Sequence, residues 1–123
     1  MTDHSFRRPA YDAAEHHAEL GQFVMRSRRD GATHTIALGG ELDLANAGDV
    51  ERELVGVEAT DAAAIVLDLG GLTFMDSTGI RLLILADARS RTDGNRLQLR
   101  RPPEHVQRVL RICGVHDRLP FDD

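Results

Sequence analysis

The sequence predicts an α/β sandwich in which helices cover a mixed, mainly parallel β-sheet that begins with a β-hairpin. Residues 22–39 alternate apolar and polar side chains on both sides of the turn signal Asp30-Gly31, which favours an antiparallel hairpin. Residues 62–67 form a continuous apolar run, which is typical of a parallel strand covered on both faces. Helical and strand patterns alternate after that run, as expected for helices packed on a sheet.

The first helix is predicted from residue 44 to about residue 57. Apolar residues recur there at helical spacing, and Asp43 stands where an N-terminal cap is expected. The hairpin strands before it are predicted over residues 22–29 and 33–39. The apolar positions of the first helix are Ala47, Val50, Leu54 and Val57.

The second helix is predicted to follow Ser77 and to end near the turn-forming residues 92–95. Residues 96–100 are predicted to form a short strand. A third helix is expected to open after residues 102–103, both proline, and to close at Gly114. The residues predicted on the buried faces of these two helices are Ile80, Leu83, Ile84, Ala88, Val106, Val109, Leu110 and Cys113.

A chain of 123 residues fits one domain, since domains commonly have about 100–150 residues. Residues 21–123 are predicted to form this domain. Residues 1–20 contain few large apolar side chains, and we expect them to form a mobile tail or a weak helix.

The charge pattern narrows the classes of partner. All fifteen cationic residues are arginine, and the net charge is −5, which argues against a nucleic acid held through its phosphates. No apolar run approaches the roughly 20 residues needed to span a bilayer, and no signal peptide is visible. We therefore expect no membrane partner and a soluble, cytoplasmic protein.

Cys113 and His116 provide only two potential ligands, so we expect no metal site and no cofactor.

The most informative segment is the polar cluster Asp76, Ser77, Thr78 and Gly79, which lies where a strand pattern gives way to a helical one. Asp and Ser are preferred at a helix N-terminus because their oxygens accept hydrogen bonds from free backbone N–H groups. The same end of the helix favours negative charge. Ser77 is therefore a physically reasonable phosphorylation site, although a plain capping role fits these residues as well.

This cluster carries a resemblance to a known family. Residues 65–69, Leu72 and residues 74–79 resemble the signature of the STAS domain, and more narrowly that of single-domain bacterial anti-sigma factor antagonists. Residues 38–43, upstream, resemble the Gly-Glu-Leu-Asp element of the same family. The resemblance extends over residues 22–121, and the two motifs lie roughly thirty residues apart. It implies the same α/β sandwich as the residue patterns.

The resemblance also implies a function without catalysis. An unphosphorylated antagonist would bind an anti-sigma factor that is also a serine kinase, and the sigma factor would be released. The kinase would then phosphorylate Ser77, and a serine phosphatase would reset the protein. The implied partner-binding residues are Glu41, Asp43, Asp76, Ser77, Thr78, Gly79 and Arg81.

Several alternatives stay open at this point. Asp43 could be a helix cap as well as part of the partner surface. Arg81 replaces the glycine that is common in the family, and it could pair with a phosphate or equally be a solvated residue. The chain could instead be a STAS adaptor subunit of a lipid-trafficking ABC transporter or a scaffold of a stress-sensing complex. A hydrolase is disfavoured because no Gly-x-Ser-x-Gly motif surrounds Ser77.

Overall fold

The computed structural model describes residues 22–122, which form one four-stranded sheet with three helices. Strand β1 pairs antiparallel with β2, whereas β2 with β3 and β3 with β4 are parallel. The predicted mixed sheet with an initial hairpin is therefore confirmed. The elements are β1 (Phe23–Asp30), β2 (Thr33–Leu42), α1 (Ala47–Glu58), β3 (Ala64–Met75), α2 (Ser77–Arg91), β4 (Leu97–Arg100), α3 (Glu104–Ile112) and a 3-10 turn (His116–Arg118).

Strand β3 is one of the two inner strands of the sheet. Its residues Ile65, Val66 and Leu67 are all buried, as the continuous apolar run predicted. The pairing of β2 with β3 contains two register shifts, the first between Ala37 and Gly39. At this irregularity a Cβ atom on Gly71 would lie 3.0 Å from the carbonyl oxygen of Leu38. Glycine therefore permits the close approach of the two strands.

Helix α1 begins later than the sequence pattern predicted. Its N-cap is Asn46, and the helix starts at Ala47 rather than at Leu44. The backbone N–H groups of Asn46 and Ala47 both donate to the carbonyl oxygen of Asp43, so a turn occupies residues 43–46. The prediction that Asp43 caps the helix is therefore wrong. The predicted buried face is confirmed at Ala47, Val50, Leu54 and Val57.

The buried face of α2 differs from the predicted one. Leu83 is buried as expected, but Ile84 is 42% exposed and Ala88 is also exposed. The small residues Gly79 and Ala86 instead face the core, together with Leu82 and Leu83. The prediction therefore holds for Leu83 and for the partly buried Ile80, which packs against the core, and it is wrong for Ile84 and Ala88.

The end of helix α3 shows why the prediction for Cys113 fails. Gly114 adopts φ +76°, its N–H donates to the carbonyl of Arg111, and the N–H of Val115 donates to that of Leu110. This is the Schellman arrangement, and it confirms the predicted helix end. Cys113 lies beyond Leu110, the last buried residue of the helix, and it is exposed. The prediction of a buried Cys113 is wrong, and Val109 is likewise exposed.

One arginine joins the two helices that flank the candidate site. Arg89 of α2 makes paired hydrogen bonds to the carboxylate of Glu58 at 2.9 and 3.1 Å, and it also reaches Glu51. The hydrogen bonds that Arg89 donates to Glu58 raise the pKa of Arg89 despite some opposing desolvation. Both glutamates belong to α1, so Arg89 fixes α1 and α2 relative to each other.

Candidate functional site

Two neighbouring strands end side by side at the carboxyl edge of the sheet. Leu42, the last residue of β2, pairs with Met75, the last residue of β3. The backbone N–H of Asp76 then donates to the carbonyl oxygen of Leu42 at 3.3 Å. Parallel strands place their carboxyl ends at the same edge, where α/β proteins commonly carry functional residues. The two motifs singled out in the sequence therefore meet at this edge.

The cap of helix α2 is Asp76. One carboxylate oxygen of Asp76, Oδ1, accepts hydrogen bonds from the backbone N–H groups of Thr78 at 2.9 Å and Gly79 at 3.2 Å. Asp76 has the extended backbone that is typical of an N-cap residue. Ser77 follows as the first residue of the helix and is exposed to solvent. The capping role that was open for Ser77 thus belongs to Asp76.

Gly79 lets the first turn of α2 rest directly on the strand ends. A Cβ atom at this position would lie 2.6 Å from Cγ of Met75 and 3.1 Å from the side chain of Leu42. Such distances are shorter than van der Waals contact. Gly79 is buried beneath the turn and packs on the strand ends. Ser77 points outward and stays exposed to solvent.

The loop after β2 is held by Asn46, which the sequence analysis did not single out. Its side-chain Nδ2 donates to the carbonyl oxygen of Glu41 at 2.8 Å, and its Oδ1 accepts from the N–H of Asp43 at 3.0 Å. Asn46 is buried, so both hydrogen bonds are partly shielded from water. An Asn just before an apolar helical pattern is a cap signal, but Asp43 offered the same signal three residues earlier.

Asp43 and Glu41 are half-buried at this edge. The Asp43 carboxylate accepts a hydrogen bond from the N–H of Ala45 at 3.0 Å, which stabilises the turn after the strand. Leu44, at the tip of this turn, is 78% exposed. The end of β2 and the loop after it therefore present two carboxylates and one large apolar side chain at this edge of the sheet.

Exposed apolar side chains surround Ser77. Phe74 is 46% exposed and pairs in register with Glu41, and an open groove runs along the outer side of α2. Exposed apolar side chains that line an open groove are characteristic of contact with another protein. Sequence periodicity missed this feature because it assigned Ile84 to the core. The residues lining the groove are Ser77, Ile80, Arg81, Ile84 and Leu85.

The site has no arrangement for nucleophilic catalysis within residues 22–122. His34 is buried and bonds to Ser27 at 2.7 Å, His105 bonds to the carbonyl oxygen of Thr73, and His116 lies beside Asp117. None of these rings is hydrogen-bonded to Ser77, so none of these three imidazoles is placed to act as its base. The described part of the chain also contains no group of three or more His, Cys, Asp or Glu side chains that could hold a metal ion.

None of the helices described in residues 22–122 combines the length and the apolar character required to traverse a bilayer.

Comparison with known proteins agrees with this architecture. A family model described as "Mlab, STAS domain" matches residues 25–120. The chain is 34% identical over 83 residues to the anti-sigma factor antagonist BtrV of Bordetella bronchiseptica, a match that covers 68% of this chain and 72% of the relative. The fold and the strand-edge site thus define a regulatory α/β domain of the STAS type. The chain belongs to the STAS domain family, among its anti-sigma factor antagonists.

Solved structures of low sequence identity share the fold. An anti-sigma factor antagonist from Mycobacterium paratuberculosis superposes with a TM-score of 0.71 at 18% identity, over 85% of this chain and 88% of that one. SpoIIAA of Bacillus in its phosphorylated form gives a TM-score of 0.64 at 22% identity, over 81% and 90% of the two chains. The family model and the relative BtrV confirm the family predicted from the two sequence motifs, and these structures confirm the fold.

The packing of Gly79 gives a direct test of the site's architecture. We expect Gly79→Ala to lower the free energy of unfolding by about 1–3 kcal/mol, because the added methyl group collides with Met75 and Leu42. The matched control is Gly56→Ala in α1, where a Cβ atom meets nothing within 4 Å. That control should be neutral or stabilising, since alanine favours a helix. Urea unfolding measures the free energy of unfolding of both variants. Equal values for Gly79→Ala and Gly56→Ala would contradict the described contact.

Proposed function

We propose that this anti-sigma factor antagonist works by partner switching through Ser77. In its unphosphorylated form it binds an anti-sigma factor that is also a serine kinase, and the sigma factor is released. The kinase then transfers a phosphoryl group from ATP to the Ser77 hydroxyl, and the complex dissociates. A serine phosphatase removes the phosphate and restores binding. This cycle would operate in the cytoplasm, where bacterial transcription takes place.

The observation that carries the proposal is the exposed Ser77 hydroxyl beside an independent helix cap. Asp76 satisfies the N–H groups of Thr78 and Gly79, so modification of Ser77 removes no hydrogen bond from the first turn. The positive end of the helix favours an added negative charge. Ser77 can therefore accept a phosphate while α2 keeps its structure.

The surface around Ser77 supports a protein partner. Leu44, Phe74, Ile84 and Leu85 are all exposed apolar side chains, and their burial would drive association. The relative BtrV is named for antagonism of an anti-sigma factor, which supports a partner of that class. We infer that Glu41, Asp43 and Arg81 lie at the polar rim of this interface.

Charge explains how phosphate would end the interaction. A phosphoserine carries about −1.5 to −2 charges near neutral pH, and Asp76 already places a carboxylate beside Ser77. Glu41 and Asp43 add further negative charge at the same sheet edge. A partner that fits a neutral hydroxyl would have to desolvate a dianion in an acidic surrounding, which is strongly unfavourable.

A second candidate is a STAS adaptor that binds its partner permanently, as in a lipid-trafficking ABC transporter. The exposed apolar surface around Ser77 fits this function equally well. The adaptor differs in having no phosphate cycle, so it needs no reactive serine. Phosphorylation of Ser77 by a cognate kinase is the observation that separates the two functions.

Ser77 is expected to be the sole phosphate acceptor when the cognate kinase and ATP are supplied. Thr78 is half-buried, whereas Ser77 is exposed, so the kinase reaches the serine hydroxyl first. Mass spectrometry of the reacted protein locates the phosphate, and Ser77→Ala should take up none. Phosphate found on Thr78 or in residues 1–20, with Ser77 unmodified, would refute the assignment.

The switch itself is tested with two substitutions at Ser77. Ser77→Asp should weaken binding to the anti-sigma factor by at least about tenfold, which corresponds to roughly 1.4 kcal/mol, because it adds charge at the interface. Ser77→Ala should bind and resist release by ATP. Both should melt within a few degrees of the wild type, since neither changes the Asp76 cap. Normal binding by Ser77→Asp, together with loss of binding by Ser77→Ala, would contradict the electrostatic mechanism.

A further inference from the structure

The first turn of α2 leaves a phosphate on Ser77 with few backbone donors. The N–H groups of Thr78 and Gly79 already donate to the Asp76 carboxylate, and the N–H of Ile80 donates to the Asp76 carbonyl oxygen at 3.1 Å. A phosphate would therefore lie beside a carboxylate that occupies the donors an anion normally uses at a helix N-terminus. Its countercharge has to come from a side chain.

Arg81 is positioned to supply that charge. It follows Ser77 by four residues in the same helix, and both residues are exposed and line the same groove. Side chains four residues apart are neighbours on a helix surface. An acid placed on the N-terminal side of the base is the favourable order for such a pair, and phosphoserine at position 77 followed by Arg81 has this order.

The other cations of α2 are already engaged. Arg89 binds Glu58 and Glu51, and Arg91 pairs with Asp87 at 2.9 Å. Within residues 22–122, no carboxylate forms an ion pair with Arg81. Arg81 is thus the one arginine of this helix whose guanidinium is not committed to a carboxylate of the described structure.

We propose that Arg81 is the intramolecular partner of the phosphate on Ser77, a role that deepens the proposed function and rests on it. The guanidinium donates N–H groups to two phosphate oxygens, a geometry that arginine favours. In doing so it moves toward the Ser77 end of the groove that both residues line in the unphosphorylated protein. Phosphorylation therefore changes both the charge of the surface and the shape of the groove.

The test is a phosphorus NMR titration of protein carrying phosphoserine at position 77, introduced during synthesis so that no kinase or partner is needed. Phosphoserine ordinarily loses its second proton with a pKa of about 6. Arg81 favours the dianion and so lowers this pKa, while Asp76, Glu41 and Asp43 oppose it. Arg81→Gln should raise the phosphate pKa by about 0.3 units or more, the scale of an exposed ion pair.

Two further variants make the result specific. Arg81→Lys keeps the charge, so its phosphate pKa should lie between that of the wild type and that of Arg81→Gln. Arg28→Gln removes the same charge from an exposed position near the opposite end of the sheet, and it should leave the phosphate pKa unchanged. Added salt should reduce the difference between wild type and Arg81→Gln, because the pair is exposed.

An unchanged phosphate pKa in Arg81→Gln would overturn the proposal, as would an equal shift in Arg28→Gln. Neither result bears on whether a kinase modifies Ser77. Conversely, failure to find a kinase would refute the proposed function and leave the measured pairing of Arg81 intact. The two ideas can therefore fail separately.

Discussion

The pairing of two strand ends is the constraint on which the site depends. Leu42 pairs with Met75, and its carbonyl oxygen accepts the N–H of Asp76. Gly79 then packs against both side chains, so the last residue of each strand sets the position of α2. A slip of one residue in this register would turn buried side chains outward. The position of Ser77 at the surface is therefore determined by core packing rather than by its own contacts.

The polar groups at this edge have separate tasks. Asp76 caps the helix, and Asn46 holds the loop that carries Glu41 and Asp43. Ser77 takes no part in either set of hydrogen bonds. A residue that is to be modified reversibly benefits from this separation, because a change in its charge leaves the supporting structure in place. The same separation keeps the carboxylates around Ser77, including that of Asp76, in place. An added phosphate therefore meets a preformed acidic surface.

Much of the fold was predictable from local patterns. The hairpin followed from alternation around Asp30-Gly31, and the central strand followed from the apolar run at residues 62–67. The two motifs correctly indicated the family. Whether Asp43 and Glu41 contact a partner stays a prediction. The predicted tail at residues 1–20 lies outside the described residues and also stays a prediction.

The errors have physical causes that local patterns do not contain. Asp43 and Asn46 are both residue types that commonly precede a helix, and α1 begins after Asn46, whose side chain bonds back to the residues before it. The buried side of α2 depends on the close contact of Gly79 with the strand ends, which apolar spacing does not reveal. Cys113 fits the apolar spacing of α3, but it lies beyond Leu110, the last buried residue of that helix, and is exposed.

The central claim is that the surface around Ser77 is preformed and that phosphorylation alters its charge without unfolding it. Amide hydrogen exchange, measured by NMR on the protein with serine and with phosphoserine at position 77, tests this most directly. The account predicts that the amides of Thr78 and Gly79, held by Asp76, stay protected in both forms. Loss of protection at these amides and along α2 after phosphorylation would contradict it and indicate a switch that works by unfolding the helix.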